Sequence, residues 1–152
     1  MANHNEYQLA QRIVELSEAD NWQGARAEWD LHEVYFSDEP EKCLCSHYPI
    51  IEVCVLYNRM NGSLAEVGNV CVNKFIGLPS KIIFDGLKRV AKDQSKALNA
   101  DASHYAFRKG WVNGWEYGFL NSTARKLVLT GSQIAKRIEI NSRVLAKIRR
   151  LR

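Results

Sequence analysis

Residues 43–77 read CLCSHYPIIEVCVLYNRMNGSLAEVGNVCVNKFIG. Cys43, Cys45 and His47 place three groups that can bind zinc at alternate positions. Structural zinc takes four thiolate or imidazole ligands in a tetrahedron. A cluster this tight can wrap one ion only from an irregular knuckle, and no helical or strand periodicity runs through it. The fourth ligand has to return from elsewhere. Ile50–Tyr57 has the branched and aromatic character of a strand, with Ile51, Val53, Val55 and Tyr57 on one face. Asn58–Gly62 is a turn, and its Asn61-Gly62 pair is a hairpin signal. Ser63–Val70 returns as a second strand. Cys71 then opens a stretch of helical character ending near Gly77-Leu78-Pro79. Cys71 is therefore the expected fourth ligand, at a helix start whose dipole and free amides favour a thiolate. Cys54 lies on the strand face opposite Val53 and Val55. It is expected to be a small core residue, the alternative being that it replaces His47 as a ligand.

The order of knuckle, β-hairpin and helix with a ligand in its first turn resembles a treble-clef zinc finger. More narrowly, Cys43-Leu44-Cys45-Ser46-His47, Asn58-Arg59-x-Asn61-Gly62 and Val67-Gly68-Asn69-x-Cys71-Val72-Asn73-Lys74-Phe75 resemble a recurrent module of small bacterial and phage proteins. In that module the knuckle usually reads Cys-x-Cys-Gly-His, and Ser46 stands where the glycine would be. The resemblance covers residues 43–77, about a quarter of the chain. It implies one structural zinc ion and attaches no reaction to it.

Outward from this module, residues 5–19 are expected to form a helix, with Leu9, Ile13 and Leu16 on its apolar side. Glu28–Phe36 has strand character and Ser37–Lys42 looks like an acidic loop. From Pro79 onward the chain looks all-helical. Ser80 is a candidate N-cap for a helix running to about Leu98. A second helical stretch begins near Asp101 or Ala102. The last helix starts near Ser132, its apolar side including Ile134, Ile138, Val144, Leu145 and Ile148. Gly110 to Phe119 would put Trp111, Trp115 and Phe119 on one face if helical. Such a face suits stacking of unpaired bases or, more simply, a tightly packed core. The expected fold is α+β: a small zinc-bound, treble-clef-like β-hairpin module with an N-terminal helix, in residues 1–78, and a C-terminal basic helical region, 79–152, packed with it as one compact domain.

The 152 residues are 46% hydrophobic and 25% charged, as expected of a globular domain. The opening MANHNEYQLA has no basic-then-apolar leader and no apolar run is long enough to span a bilayer, so a cytoplasmic protein without a membrane partner is expected. Four cysteines in that compartment point to metal or buried thiols rather than disulfides. The net charge of +4 conceals an asymmetry: residues 1–78 carry five basic and twelve acidic side chains, residues 79–152 sixteen basic and five acidic. The basic half can serve an anionic partner, or the two halves can attract each other within the fold. Two stripes concentrate the positive charge: Lys81, Lys88, Lys92 and Lys96, and Lys136, Arg143, Lys147 and Arg150. Both fit phosphate contacts as well as ordinary solvated helix faces. The residues from Arg149 to Arg152 make a basic tail. His4, His32 and His104 have no evident partners, and no phosphate loop, nucleophile elbow or paired-acid motif is present, so no catalytic residue is assigned. The expected function is non-enzymatic, zinc-stabilised binding of DNA or RNA through the C-terminal half. The alternatives are a protein-interaction factor, for example a phage or mobile-element inhibitor of a host or defence protein, and a metal-dependent nuclease.

Overall fold

The computed structural model describes residues 4–150. Leu151 and Arg152, the end of the basic tail, lie outside them. The fold is α+β, with seven α-helices and one four-stranded sheet among the described residues. Two compact units emerge, one running to Lys81 and including Arg150, the other spanning Ile82–Arg149.

The first unit opens with α1 (His4–Glu15) and α2 (Trp22–Arg26). Leu9 and Ile13, four apart, are fully buried, as the periodicity requires. The helix stops at Glu15, before the expected 19. Asn21 caps α2, its side chain accepting from the Gly24 N–H. Strand β1 (Trp29–Glu41) is longer than its sequence signal. It runs on through most of the expected acidic loop, with register irregularities between Leu31 and Glu33 and between Phe36 and Glu41. Such bulges bend a strand and let exposed, charged residues ride on it. Strand β2 (Ile50–Asn58) pairs antiparallel with β1 and with β3 (Leu64–Gly68). The sheet order is β3-β2-β1-β4, β4 being the short Arg149–Arg150.

As an inner strand, β2 buries Val53, Cys54, Val55 and Leu56 in succession, while Ile51 and Tyr57 stay partly exposed. The expected one-sided alternation is thus replaced by a run covered on both faces. The buried Asn58 side chain receives the Met60 N–H and donates to Glu28, which also accepts the Glu18 and Ala19 amides. This network ties the hairpin turn to the start of β1.

After β3 the chain forms α3 (Asn69–Cys71) and one π-helical turn, Val72–Ile76, closed by Gly77 in the left-handed conformation. The expected single helix from Cys71 is thus a three-residue helix that Cys71 ends. Helix α4 (Ser80–Lys92) follows. Ser80 is its first residue, fully buried, and its hydroxyl donates to the Asn69 side chain at 2.6 Å.

In the second unit α4 buries Ile83, Phe84, Leu87 and Val90 but ends at Lys92, short of the expected Leu98. Asn99 caps α5 (Ala100–Arg108) and donates to the Ile82 carbonyl at 2.7 Å. Gly86 gives Asn99 its space: a Cβ there would lie 2.5 Å from the Asn99 Oδ1. Gly110 then turns left-handed, so the Gly-Trp stretch is broken rather than continuously helical. Trp111 sits edge-on to Tyr105, and Trp115 stacks on Phe119 within α6 (Gly114–Thr123). Helix α7 (Gly131–Ile148) is capped by Thr130 through a reciprocal box with Gln133, not by Ser132. Its buried face is Arg137, Ile140, Asn141, Val144 and Ile148, whereas Ile134 and Ile138 are each 37% exposed. No helix of the described residues is long and apolar enough to cross a membrane.

Candidate metal centre

The knuckle is a tight turn. The Ser46 N–H donates to the Cys43 carbonyl at 2.8 Å, the Cys43 N–H to the His47 carbonyl at 2.9 Å, and the Leu44 N–H anchors the loop to Glu66 of β3. Ser46 takes the left-handed conformation, φ 77°. That is the geometry a glycine adopts without penalty. The other side of the site comes from the end of β3. Gly68 donates its N–H to the Cys43 sulfur at 3.2 Å, and a Cβ there would press on Ile50 at 3.2 Å. Cys71 follows three residues later.

These elements bring the sulfurs of Cys43, Cys45 and Cys71 within 4.8 Å of one another, all three buried. Cys45 and Cys71 are 3.5 Å apart. Zinc–sulfur bonds of about 2.3 Å put the sulfurs of a tetrahedral site about 3.8 Å apart, so little movement separates this cluster from a coordination shell. The His47 N–H donates to the Cys45 sulfur at 3.4 Å, and amide donors of this kind stabilise thiolates. The cluster can therefore hold a metal ion, and its all-sulfur donor set favours a soft or borderline one.

The three thiols sit in unequal electrostatic settings. The Cys71 thiol, then the surrounding backbone amides, hold Cys43 well below the ordinary thiol range. Donating to Cys43 and burial push Cys71 up, and burial pushes Cys45 up. A divalent ion would deprotonate these two outright.

His47 does not join the cluster. It is exposed, and it lines the same cavity of about 410 Å³ as the three cysteines. Cys54 is buried elsewhere in β2, bonded to Ser80 and pushed up to about 12 by burial. It is not part of the sulfur cluster.

The eight candidate phosphate contacts fall into different settings. Lys81, Lys88 and Lys92 are exposed on α4, with Lys88 4.0 Å from Asp85. Lys96, expected on the same helix, lies beyond its end and is exposed. In the second stripe Arg143 clasps the buried Glu116 with two contacts of 2.9 Å, and Lys136 approaches it at 3.8 Å while reaching Glu139 at 3.1 Å. Arg150 belongs with the sheet, lying 3.9 Å over the Tyr35 ring and near Glu33 and Glu66. Lys147 is exposed.

The residue periodicity missed is Arg137. It is 5% exposed, on the core side of α7. Stepping back from Val144 and Ile140 by seven and three would have placed it there. Comparison with protein-family models, curated proteins and solved structures gives no match.

Proposed function

We propose that the chain is a non-enzymatic binding protein, stapled by one zinc ion on Cys43, Cys45 and Cys71, that contacts the phosphate backbone of DNA or RNA. His47 would supply the fourth ligand by turning its exposed ring into the cavity it already lines, in the manner of the treble-clef-like modules of bacterial and phage proteins. Zinc here acts as a scaffold. It ties the knuckle to the end of β3 and the α3 turn that follows it.

The observation that carries the nucleic-acid reading is the outer face of α4. Lys81, Lys88 and Lys92 are exposed at intervals of seven and four, which aligns them along one side of a helix that can follow a phosphate backbone. Lys136, Arg143 and Arg150 are engaged with carboxylates and would add little to the contact. Binding of a fluorescent oligonucleotide at several salt concentrations tests the reading. The Lys81→Gln/Lys88→Gln/Lys92→Gln variant should flatten the log–log salt dependence by about two to three. An unchanged slope, or no binding at low salt, would overturn it.

One observation favours a second reading, a protein-interaction factor. β3 is an edge strand whose Glu66 carbonyl and Gly68 N–H are taken by the knuckle, but Leu64 on it and Val70 just after it are 58% and 73% exposed. Exposed apolar side chains of this kind suit a protein contact. A stoichiometric partner recovered from nuclease-treated bacterial lysate, and lost on Leu64→Lys substitution, would support this reading over the first.

A further inference from the structure

We propose that a cavity of the second unit, lined by Arg89, Lys96, Arg125, Lys126 and Arg137, is a binding site for a phosphoryl group. The cavity measures about 410 Å³, and no carboxylate lines it. Its cations come from four places in the chain: Arg89 from α4, Lys96 from the α4–α5 connection, Arg125 and Lys126 from the α6–α7 connection, and Arg137 from α7. Convergence of five cations from separate elements differs from a helix face that is basic along its length.

Arg137 is the anchor of the site. Its Nη1 donates to the Ser95 carbonyl at 3.1 Å and its Nη2 to the Thr123 carbonyl at 2.7 Å. Both bonds fix the guanidinium plane and neither supplies negative charge. Its Nε is buried without a hydrogen-bond partner. A buried cation lacking a counter-ion is costly to the fold, and removing that cost is what an entering anion would do. Burial, then the charge of Arg89, hold the Arg137 pKa below its ordinary value. Asp93, near enough to feel Lys96, turns its carboxylate to the Ser95 amide and hydroxyl. A tetrahedral dianion suits this set because several fixed and flexible cations can each take one of its oxygens, and Arg presents a planar fork to two at once.

The phosphoryl group can belong to a small molecule or to a nucleic-acid backbone. Arg89 lies on the same helix as the surface proposed above, so the decisive probe carries no base. Inorganic pyrophosphate, titrated calorimetrically into the purified protein at constant ionic strength, should bind saturably. Arg89→Gln and Arg125→Gln/Lys126→Gln replace exposed residues and should each weaken it about tenfold or more. Lys81→Gln/Lys88→Gln/Lys92→Gln should leave it unchanged, even if that variant abolishes oligonucleotide binding. Absence of saturable binding, or equal binding by the Arg125→Gln/Lys126→Gln protein, would overturn the site. Pyrophosphate displacing a bound oligonucleotide would assign the group to a polymer backbone; independent binding of both would assign it to a small phosphorylated ligand. Arg137→Lys keeps the charge but not the two-carbonyl clamp, and should weaken pyrophosphate with a smaller loss of melting temperature than Arg137→Gln.

Discussion

Cys71 and Cys54 are both buried thiols on neighbouring parts of the chain, yet they stand in different relations to the site. Cys71 lies 3.5 Å from the Cys45 sulfur, whereas Cys54 bonds to Ser80 within β2's own surroundings. Cys71→Ser should therefore abolish stoichiometric metal binding and cost on the order of 3 kcal/mol or more in urea unfolding. Cys54→Ala should keep full metal content and cost about 1–2 kcal/mol, the penalty of a small cavity. Ser46 offers a test of opposite sign. A side chain in the left-handed region costs about 1–2 kcal/mol, part of which glycine returns through a more flexible unfolded chain. Ser46→Gly should stabilise the protein by about 0.5–1 kcal/mol with unchanged metal content. Sequence alone marked the cysteines because ligand chemistry restricts residue type. It also named His47, whose exposed ring lies outside the sulfur cluster, because spacing along the chain does not fix where a side chain turns.

At the scale of elements, local chemistry was legible where one residue type answers one backbone demand. Asn61-Gly62 marked the hairpin turn, and Leu9 and Ile13 marked the buried side of α1. It failed where tertiary pairing overrode local character. Ser37–Glu41 looks like a loop because it is acidic and contains Pro40, but pairing with β2 carries it as bulged strand. The buried side of α7 was misplaced because Arg137 and Asn141 occupy core positions that a search for apolar residues passes over. Asn141 earns its place by donating to the Gln94 and Lys96 carbonyls, and Arg137 by clamping two others. Glu116 on α6 belongs to the same kind of polar core. Burial works to raise its pKa. The Asn113 amide, the Arg143 guanidinium and the Lys136 charge outweigh burial and leave it below the ordinary carboxylate value. A depressed folded-state pKa adds stability that is complete above the unfolded value of about 4.3 and lost as pH falls through the folded one. Glu116→Gln should therefore cost about 2 kcal/mol at neutral pH and show a shallower fall of melting temperature below about pH 4.3 than the parent.

For the whole molecule, the opposed charges of the two halves are partly resolved inside each unit. Arg150 joins the acidic sheet unit, where Glu33 and Glu66 face it, and Lys136 and Arg143 are taken up by Glu116 and Glu139. Ile82–Arg149 still carries thirteen basic against five acidic side chains. Part of that excess lies on the outer side of α4 and around the Arg137 cavity. The acidic unit, by contrast, has its chemistry concentrated in three sulfurs. The claim on which the rest depends is that these sulfurs hold a metal ion. Elemental analysis of purified protein, paired with thermal melting before and after chelation, tests it most directly. The account predicts about one equivalent of zinc per chain and a marked fall in melting temperature when the ion is withdrawn. Less than about half an equivalent of any transition metal, with melting unmoved by the chelator, would contradict it.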